Sequence, residues 1–207
     1  DSEKNVLEDI TFDAKPGETI AIIGSTGSGK STIINLIPRL FDVSNGKVMI
    51  DGIDVKEMTL KQLRSLIGFV PQNATLFTGT IAENIAYGKS DATLEEIIEA
   101  AKIAQAHDFI DSIPEKYDAV VEQGGVNFSG GQKQRLSIAR AIVRKPLIYI
   151  FDDSFSALDF KTDSILRNRL KSITSHSTVL IVAQRIGTIM DADRIIVLQE
   201  GRIVGND

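Results

Sequence analysis

The sequence has no cysteine and no tryptophan among its 207 residues, and only five prolines. The absence of cysteine excludes disulfide bonds and thiolate metal sites and is compatible with a reducing compartment. No apolar run approaches the roughly 20 residues that a membrane-spanning helix needs, and no signal peptide is visible. The 23 basic and 28 acidic residues give a net charge of −5 without a long basic run, so we expect no nucleic-acid partner.

Short apolar segments alternate with helical patterns along the chain. Several of these segments, such as 19–24 and 178–182, are apolar throughout, which predicts a mostly parallel α/β sheet buried on both faces. The length favours one domain that can include a smaller lobe. The predicted strands are 6–12, 19–24, 46–52, 67–70, 147–152 and 178–182, with a closing hairpin over 194–204. The predicted helices are 30–36, 59–66, 93–113, 130–144 and 162–173, with a short one before the hairpin.

The stretch 76–146 is richer in helical patterns than the rest of the chain. Its long helix has apolar residues on one face, namely Leu94, Ile97, Ile98 and Ala101. Thr93 and Glu96 have the spacing of a capping box at the start of this helix. We expect 76–146 to be an inserted helical subdomain, and 1–75 with 147–207 to form the core of the domain, including a β-subdomain.

Residues 24–31 read GSTGSGKS and lie between an apolar strand and a predicted helix. This is the spacing and the context of the phosphate-binding P-loop, G-x-x-x-x-G-K-[ST]. Glycines let backbone N–H groups approach a phosphate closely, and the helix N-terminus adds partial positive charge. Lys30 is expected to reach the β- and γ-phosphates, and Ser31 to ligate Mg²⁺. The candidate nucleotide ligands are Gly24, Ser25, Thr26, Gly27, Ser28, Gly29, Lys30, Ser31 and Thr32.

Two adjacent carboxylates, Asp152 and Asp153, end the apolar strand 147–152. In a P-loop protein, an aspartate at the end of such a strand holds Mg²⁺, directly or through water. Without the P-loop, the same aspartate would be interpreted equally well as a helix cap. We therefore expect Asp152 to be a metal ligand.

Residues 128–135, FSGGQKQR, narrow the class of nucleotide-binding protein. The chain resembles the ATP-binding cassette family, whose signature is LSGGQ, and only Phe128 departs from that pattern. The resemblance implies a P-loop NTPase core of RecA-like type with a mostly parallel sheet, an antiparallel β edge and a helical subdomain that carries the signature. It also implies ATP and Mg²⁺ as cofactors and a head-to-tail pair of cassettes. The signature residues Ser129, Gly130, Gly131 and Gln132 would then face a nucleotide held by the partner cassette.

Other motifs of the family follow in the expected order. Gln72 resembles the Q-loop glutamine, which contacts Mg²⁺ and the transmembrane partner, and Asp159 resembles the D-loop aspartate near the dimer seam. Residues 76–88 are similar to the segment found in exporters with fused membrane helices. The resemblance thus implies a transmembrane domain, N-terminal on the same polypeptide, and a location on the cytoplasmic side of the membrane. It also predicts an adenine-stacking aromatic upstream of residue 1.

Two residues depart from the pattern of active family members at one site. Asp152 corresponds to the Walker B aspartate of the family. The residue after it is Asp153 instead of the family's glutamate, and Gln184 stands at the position of the family's conserved-motif histidine after the next strand, the switch histidine. Aspartate reaches roughly 1 Å less far, and a misplacement of that size can cost about 10²-fold in rate. Glutamine cannot carry a proton or a positive charge. Together with Lys30, these are the candidate catalytic residues, and they resemble the weakly hydrolysing half of a heterodimeric exporter whose second cassette is not identical.

Three alternatives remain open from the sequence. The chain could be a fully active cassette of a homodimeric exporter, an ABC ATPase that acts as an ATP-dependent interaction switch outside transport, or an ordinary P-loop kinase. The exporter-like segment 76–88 argues against the interaction switch, and a kinase has no need of the signature helix. The transported substrate is not encoded in this part of the protein.

Overall fold

The computed structural model describes residues 5–184 and 186–207. The strands are β1 (Thr19–Gly24), β2 (Met49–Ile50), β3 (Ile53–Asp54), β4 (Ile67–Val70), β5 (Gly79–Thr80), β6 (Val120–Val121), β7 (Ile148–Asp152), β8 (Thr178–Val182), β9 (Arg194–Gln199) and β10 (Arg202–Asn206). The helices are α1 (Lys30–Leu36), α2 (Leu60–Ser65), α3 (Ile81–Ala86), α4 (Leu94–Ile103), α5 (His107–Asp111), α6 (Gly130–Val143), α7 (Phe160–Ile173) and α8 (Ile186–Ile189). No helix among these residues is long and apolar enough to span a bilayer.

A six-stranded sheet in the order β10-β9-β1-β8-β7-β4 forms the centre of the fold. Every neighbouring pair in it is parallel except β10 with β9. Alternate residues of β7 serve two cores, since Tyr149 and Phe151 pack with the helices α3 to α6, whereas Ile150 packs on the opposite face. The predicted fold class, a mostly parallel α/β sheet with an antiparallel edge, is confirmed.

Parallel pairing brings the functional motifs to one edge of the sheet. Ile22 of β1 pairs with Val182 of β8, and Val182 pairs with Asp152 of β7. The carboxyl ends of these strands therefore lie side by side, which is the usual position of a ligand in an open α/β sheet. The P-loop, the two aspartates and Gln184 all follow directly from these ends.

The chain between β4 and β7 carries α3, α4, α5 and α6, as the helical pattern predicts. The predicted capping box at Thr93 and Glu96 is present, and Ile97 and Ala101 are buried. Leu94 differs from the expected apolar face, because it is the first residue of α4 and is 58% exposed.

Three predicted elements are wrong or shorter than expected. The segment 6–12 is not a strand, because Asp9 has a φ of 53° and interrupts the extended backbone. The segment 46–52 contributes only the two residues of β2, which pair with β3. The helix predicted over 93–113 is two helices, because Gln105 has a φ of 58° and the N–H of Ala106 closes the end of α4 on the Ala101 carbonyl at 2.7 Å.

Candidate functional site

The P-loop connects β1 to α1 in the conformation that the glycine pattern predicts. Gly24 has a φ of 153° and Gly27 a φ of 80°. A Cβ on Gly24 would lie 2.3 Å from the Leu198 carbonyl oxygen, so a side chain does not fit there. A Cβ on Gly27 would meet nothing within 4 Å, so this position requires glycine for its left-handed backbone alone.

Lys30 is folded into the loop that precedes it. Its ammonium group donates hydrogen bonds to the carbonyl oxygens of Gly24 at 2.8 Å and Ser25 at 2.7 Å, and the side chain is only 7% exposed. The buried hydroxyl of Ser28 is at 3.5 Å. A buried ammonium group surrounded by main-chain atoms of a glycine-rich turn is a cradle for an anion, and it fits the phosphates of a nucleotide.

Ser31 and Asp152 come together across the sheet edge although they are 121 positions apart. The Ser31 hydroxyl donates a hydrogen bond to Oδ1 of Asp152 at 3.2 Å. Burial raises the pKa of the Asp152 carboxyl group; the bond from Ser31 lowers it, the charge of Asp153 raises it and the charge of Lys30 lowers it. Hydroxyl and carboxylate oxygens are the ligands that Mg²⁺ prefers, so this pair fits the predicted cation.

Asp152→Asn should stabilise the chain without nucleotide and remove its response to Mg²⁺. Because the pKa of Asp152 is raised in the folded state, its contribution to stability is present at low pH and is lost as the pH rises through that pKa. At neutral pH the ionised carboxylate therefore destabilises the fold, and the neutral amide of asparagine avoids this effect. We expect a higher melting temperature at neutral pH in the absence of nucleotide. The additional stabilisation that Mg²⁺ gives to the ATP-bound chain should disappear. Differential scanning fluorimetry measures both effects.

Asp51→Asn is the matched control, because it makes the same change at an exposed position and should alter neither quantity. A lower melting temperature for Asp152→Asn together with an intact Mg²⁺ response would contradict the assignment of Asp152.

The main chain of Asp153 forms two hydrogen bonds. Its N–H donates to the Val182 carbonyl at 2.9 Å, and its carbonyl accepts a 2.7 Å bond from the Ser156 hydroxyl. Its φ is 45° and the residue is 9% exposed. These two hydrogen bonds fix the main chain of Asp153 directly after β7.

Gln72 follows β4 and Gln184 follows β8, the two strands that flank β7. Gln72, two residues after β4, donates from Nε2 to Oδ2 of Asp153 at 3.2 Å, so its predicted place beside the metal ligands fits the fold. Gln184 is exposed and lies two residues after Val182, the residue paired with Asp152. The structure therefore gathers Lys30, Ser31, Gln72, Asp152 and Asp153 at one edge, with Gln184 following the adjacent strand.

The signature residues form the start of α6. Ser129 is the N-cap: its Oγ accepts the Gln132 N–H at 3.2 Å, and Gln132 Oε1 accepts the Ser129 N–H at 2.8 Å. This capping box leaves the Ser129 hydroxyl proton available to an anion. A Cβ on Gly130 would meet nothing within 4 Å, whereas one on Gly131 would lie 3.2 Å from the Ala157 carbonyl oxygen. The first residue of α6, Gly130, thus faces open space, whereas Gly131 lies close to the chain segment that precedes Asp159.

Asp159 is the N-cap of α7. Its Oδ1 accepts the Thr162 N–H at 3.0 Å and its Oδ2 accepts the Thr162 hydroxyl at 2.6 Å. These bonds lower the pKa of the carboxyl group, so it is ionised at neutral pH. Its negative charge also acts on Arg135 in α6, which ties the two motifs electrostatically.

Gln134 is a further residue that connects the motifs, and no sequence pattern marks it. It lies in α6 and is 1% exposed, and its Nε2 donates to the Pro71 carbonyl at 3.1 Å. Pro71 directly precedes Gln72, so this bond connects the signature helix to the segment that reaches Asp153. Its place within FSGGQKQR was visible from the sequence, but its partner 63 positions away was not.

Comparison with known proteins agrees with this geometry. Residues 7–156 match the ABC transporter family, which is well over half of the chain. The chain therefore belongs to the ABC transporter family, whose nucleotide-binding domains bind ATP, typically with Mg²⁺.

The similar proteins include ABC transporter and ABC exporter proteins. It is 51% identical over 202 residues to an uncharacterised ABC transporter ATP-binding protein of Bacillus subtilis, YfiB, covering 98% of this chain and 35% of that protein. It is 48% identical over 204 residues to a putative multidrug export ATP-binding/permease protein of Staphylococcus aureus, covering 99% of this chain and 35% of that protein. A bacterial Atm1-family ABC exporter with ATP bound superimposes with a TM-score of 0.96 at 40% identity, covering all of this chain and 36% of that one. The chain spans about a third of the length of these relatives.

Proposed function

We propose that the chain is the nucleotide-binding domain of an ABC exporter and that its own site binds Mg-ATP but hydrolyses it slowly. The observation that carries the proposal is the arrangement at the sheet edge, where Lys30 occupies a phosphate cradle next to the Ser31–Asp152 pair. The proposal of an exporter rests on the similar proteins, and the proposal of slow ATP hydrolysis rests on Asp153 and Gln184.

Each residue of the site has a defined task in this proposal. Lys30 exchanges its bonds to the Gly24 and Ser25 carbonyls for bonds to the β- and γ-phosphates, and Ser31, Asp152 and Gln72 hold the cation. Mg²⁺, when bound by these residues, would supply positive charge next to the phosphate oxygens. Asp153 orients and deprotonates the attacking water, and Gln184 donates a hydrogen bond to the γ-phosphate.

Asp153 performs its task poorly because it cannot reach the position that a glutamate carboxylate would occupy. Its main chain is held on both sides, by Val182 and by Ser156, so the shorter side chain leaves the carboxylate about 1 Å short. Gln184 can hydrogen-bond a phosphate but supplies no charge. We infer a site that retains ATP and contributes little turnover.

The open start of α6 at Ser129 and Gly130 supports the proposal that turnover takes place at the other cassette's site. In a head-to-tail pair of cassettes, this helix start completes the nucleotide site of the other cassette, which we propose to be a non-identical, fully active subunit. A transmembrane domain, N-terminal on the same polypeptide, would couple the pair to export from the cytoplasmic side. The length of the relatives, about three times that of this chain, supports the presence of such a domain.

Lys30→Ala should weaken ATP binding at least ~10-fold, since it removes the charge from the phosphate cradle. Isothermal titration calorimetry with Mg-ATP measures the change. Lys47→Ala is the control, because Lys47 is exposed outside the site and should leave the affinity unaltered. Equal affinities for the wild type and Lys30→Ala would remove the P-loop assignment and the proposed function with it.

A further inference from the structure

A cavity of about 610 Å³ lies at the opposite end of β7 from the nucleotide site. It is bounded by α4, the carboxyl end of α6, the start of β7 and the end of α7. Tyr149 lines it from the second position of β7, whereas Asp152 ends the strand three residues later, about 10 Å away along the strand. The cavity is therefore separate from the phosphate cradle, and its volume is in the range that holds a small organic ligand.

The floor of the cavity is largely apolar, and two residues with hydroxyl groups, Tyr149 and Ser177, also line it; the Ser177 hydroxyl donates to the Pro146 carbonyl at 3.0 Å. Ile103, Ile142 and Ile173 contribute hydrocarbon, and the ring of Tyr149 is 2% exposed. The Tyr149 hydroxyl has no hydrogen-bond partner among the described residues. Burial raises the pKa of Tyr149 to about 12, so the phenol is protonated at neutral pH and can both donate and accept. Because Tyr149 lines the cavity, this hydroxyl is available to a polar group of a ligand.

The rim of the cavity carries unbalanced negative charge. Glu95 and Glu99 are one helical turn apart on α4, and neither forms an ion pair with a described residue. Glu96 between them is already neutralised, since both of its carboxylate oxygens accept bonds from Lys89 at 2.7 Å. Lys145 also lines the cavity, and its charge acts on Glu96. The three carboxylates of Glu95, Glu96 and Glu99 thus face the two ammonium groups of Lys89 and Lys145, which leaves one negative charge in excess for a cationic ligand.

We propose that this cavity binds an amphipathic organic amine of small-molecule size. Its ammonium group pairs with Glu95 and Glu99, its hydrocarbon body covers the isoleucine floor, and a polar group at the far end bonds to the Tyr149 hydroxyl. An organic anion is disfavoured by the same two carboxylates, and a fully apolar molecule leaves Tyr149 without a partner. The proposal does not depend on hydrolysis at the nucleotide site.

The ligand would contact both α4 and the α7–β7 region, which belong to different parts of the fold. It would thus connect the helices between β4 and β7 to the central sheet. Binding can be measured without nucleotide, so the outcome is independent of the proposed ATP site.

Tryptamine and indole-3-propionate are matched probes for the cavity. Both carry an indole ring, whose N–H can donate to Tyr149, on a two-carbon arm, but one ends in an ammonium group and the other in a carboxylate. We expect tryptamine to bind at least ~10-fold more tightly, because the carboxylates attract one charge and repel the other. NMR titration of the isotope-labelled chain measures the affinities and should show shifts at α4 and at the start of β7.

Four variants test the contacts. The double variant Glu95→Gln with Glu99→Gln should abolish the preference for tryptamine, and Tyr149→Phe should weaken tryptamine several-fold while retaining the ring. Glu57→Gln, at an exposed position elsewhere, should bind like the wild type. Lys30→Ala should also retain tryptamine binding, which separates this site from the ATP site. Equal binding of the two probes, absence of binding up to millimolar concentrations, or shifts confined to the P-loop would overturn the proposal.

Discussion

Gly130→Asp should reduce ATP turnover of the assembled two-cassette transporter by at least ~10²-fold. In the proposed pair, the start of α6 faces the γ-phosphate held by the other cassette. A side chain there would hold the phosphate away from the preorganised N–H donors, and losing one such donor costs about 10²–10³-fold. A carboxylate there also repels the phosphate directly. Because a Cβ at Gly130 meets nothing within 4 Å, the substitution fits the fold, and its effect reports on the nucleotide rather than on packing.

The companion substitutions separate this role from alternative explanations. Gly130→Ala adds a side chain without charge and should reduce turnover less. Ser129→Ala is less informative, since it also removes the cap of α6 and costs about 1 kcal/mol of stability. Asp153→Asn should leave most turnover intact if the site of this chain is already slow. Loss of activity with Asp153→Asn and normal activity with Gly130→Asp would reverse the proposed roles, and equal loss with both would favour a fully active homodimer.

Asp153→Glu combined with Gln184→His should accelerate hydrolysis at this chain's own site by more than the product of the two single effects. Base and switch residue act on the same water and γ-phosphate, and residues that act as a unit are strongly non-additive. The gain from the glutamate is bounded by the ~10²-fold expected for a correction of about 1 Å. Because hydrogen bonds fix the backbone of Asp153, Asp153→Glu changes mainly the length of the side chain.

Single-turnover hydrolysis measures this effect in a heterodimer whose other site carries an inactivating substitution. The control is Asp163→Glu, which lengthens an acidic side chain in α7 that is paired with Arg167, away from the nucleotide, and should not accelerate hydrolysis. If the double variant hydrolyses no faster than the parent, then Asp153 is not the cause of slow turnover.

The local features of the site were predictable because they depend on neighbouring residues. The glycine spacing of residues 24–31 predicted a loop between a strand and a helix, and β1 and α1 flank it in the structure. The capping box at Thr93 and Glu96 was likewise a matter of spacing within one turn. The break at Gln105 was not predictable, because the apolar pattern continues across it and only the packing of α4 and α5 separates them.

What the sequence by itself determined was the class of protein, through the P-loop, the signature and the two carboxylates at the end of one strand. The tertiary structure alone decided which distant side chains meet: Ser31 with Asp152, Gln72 with Asp153, and Gln134 with Pro71. It also decided that Tyr149 lines a cavity without a hydrogen-bond partner among the described residues. The physical reason is that a motif is set by backbone conformation over a few residues. A contact across 63 to 121 positions depends instead on strand order and on the direction in which each side chain leaves the sheet.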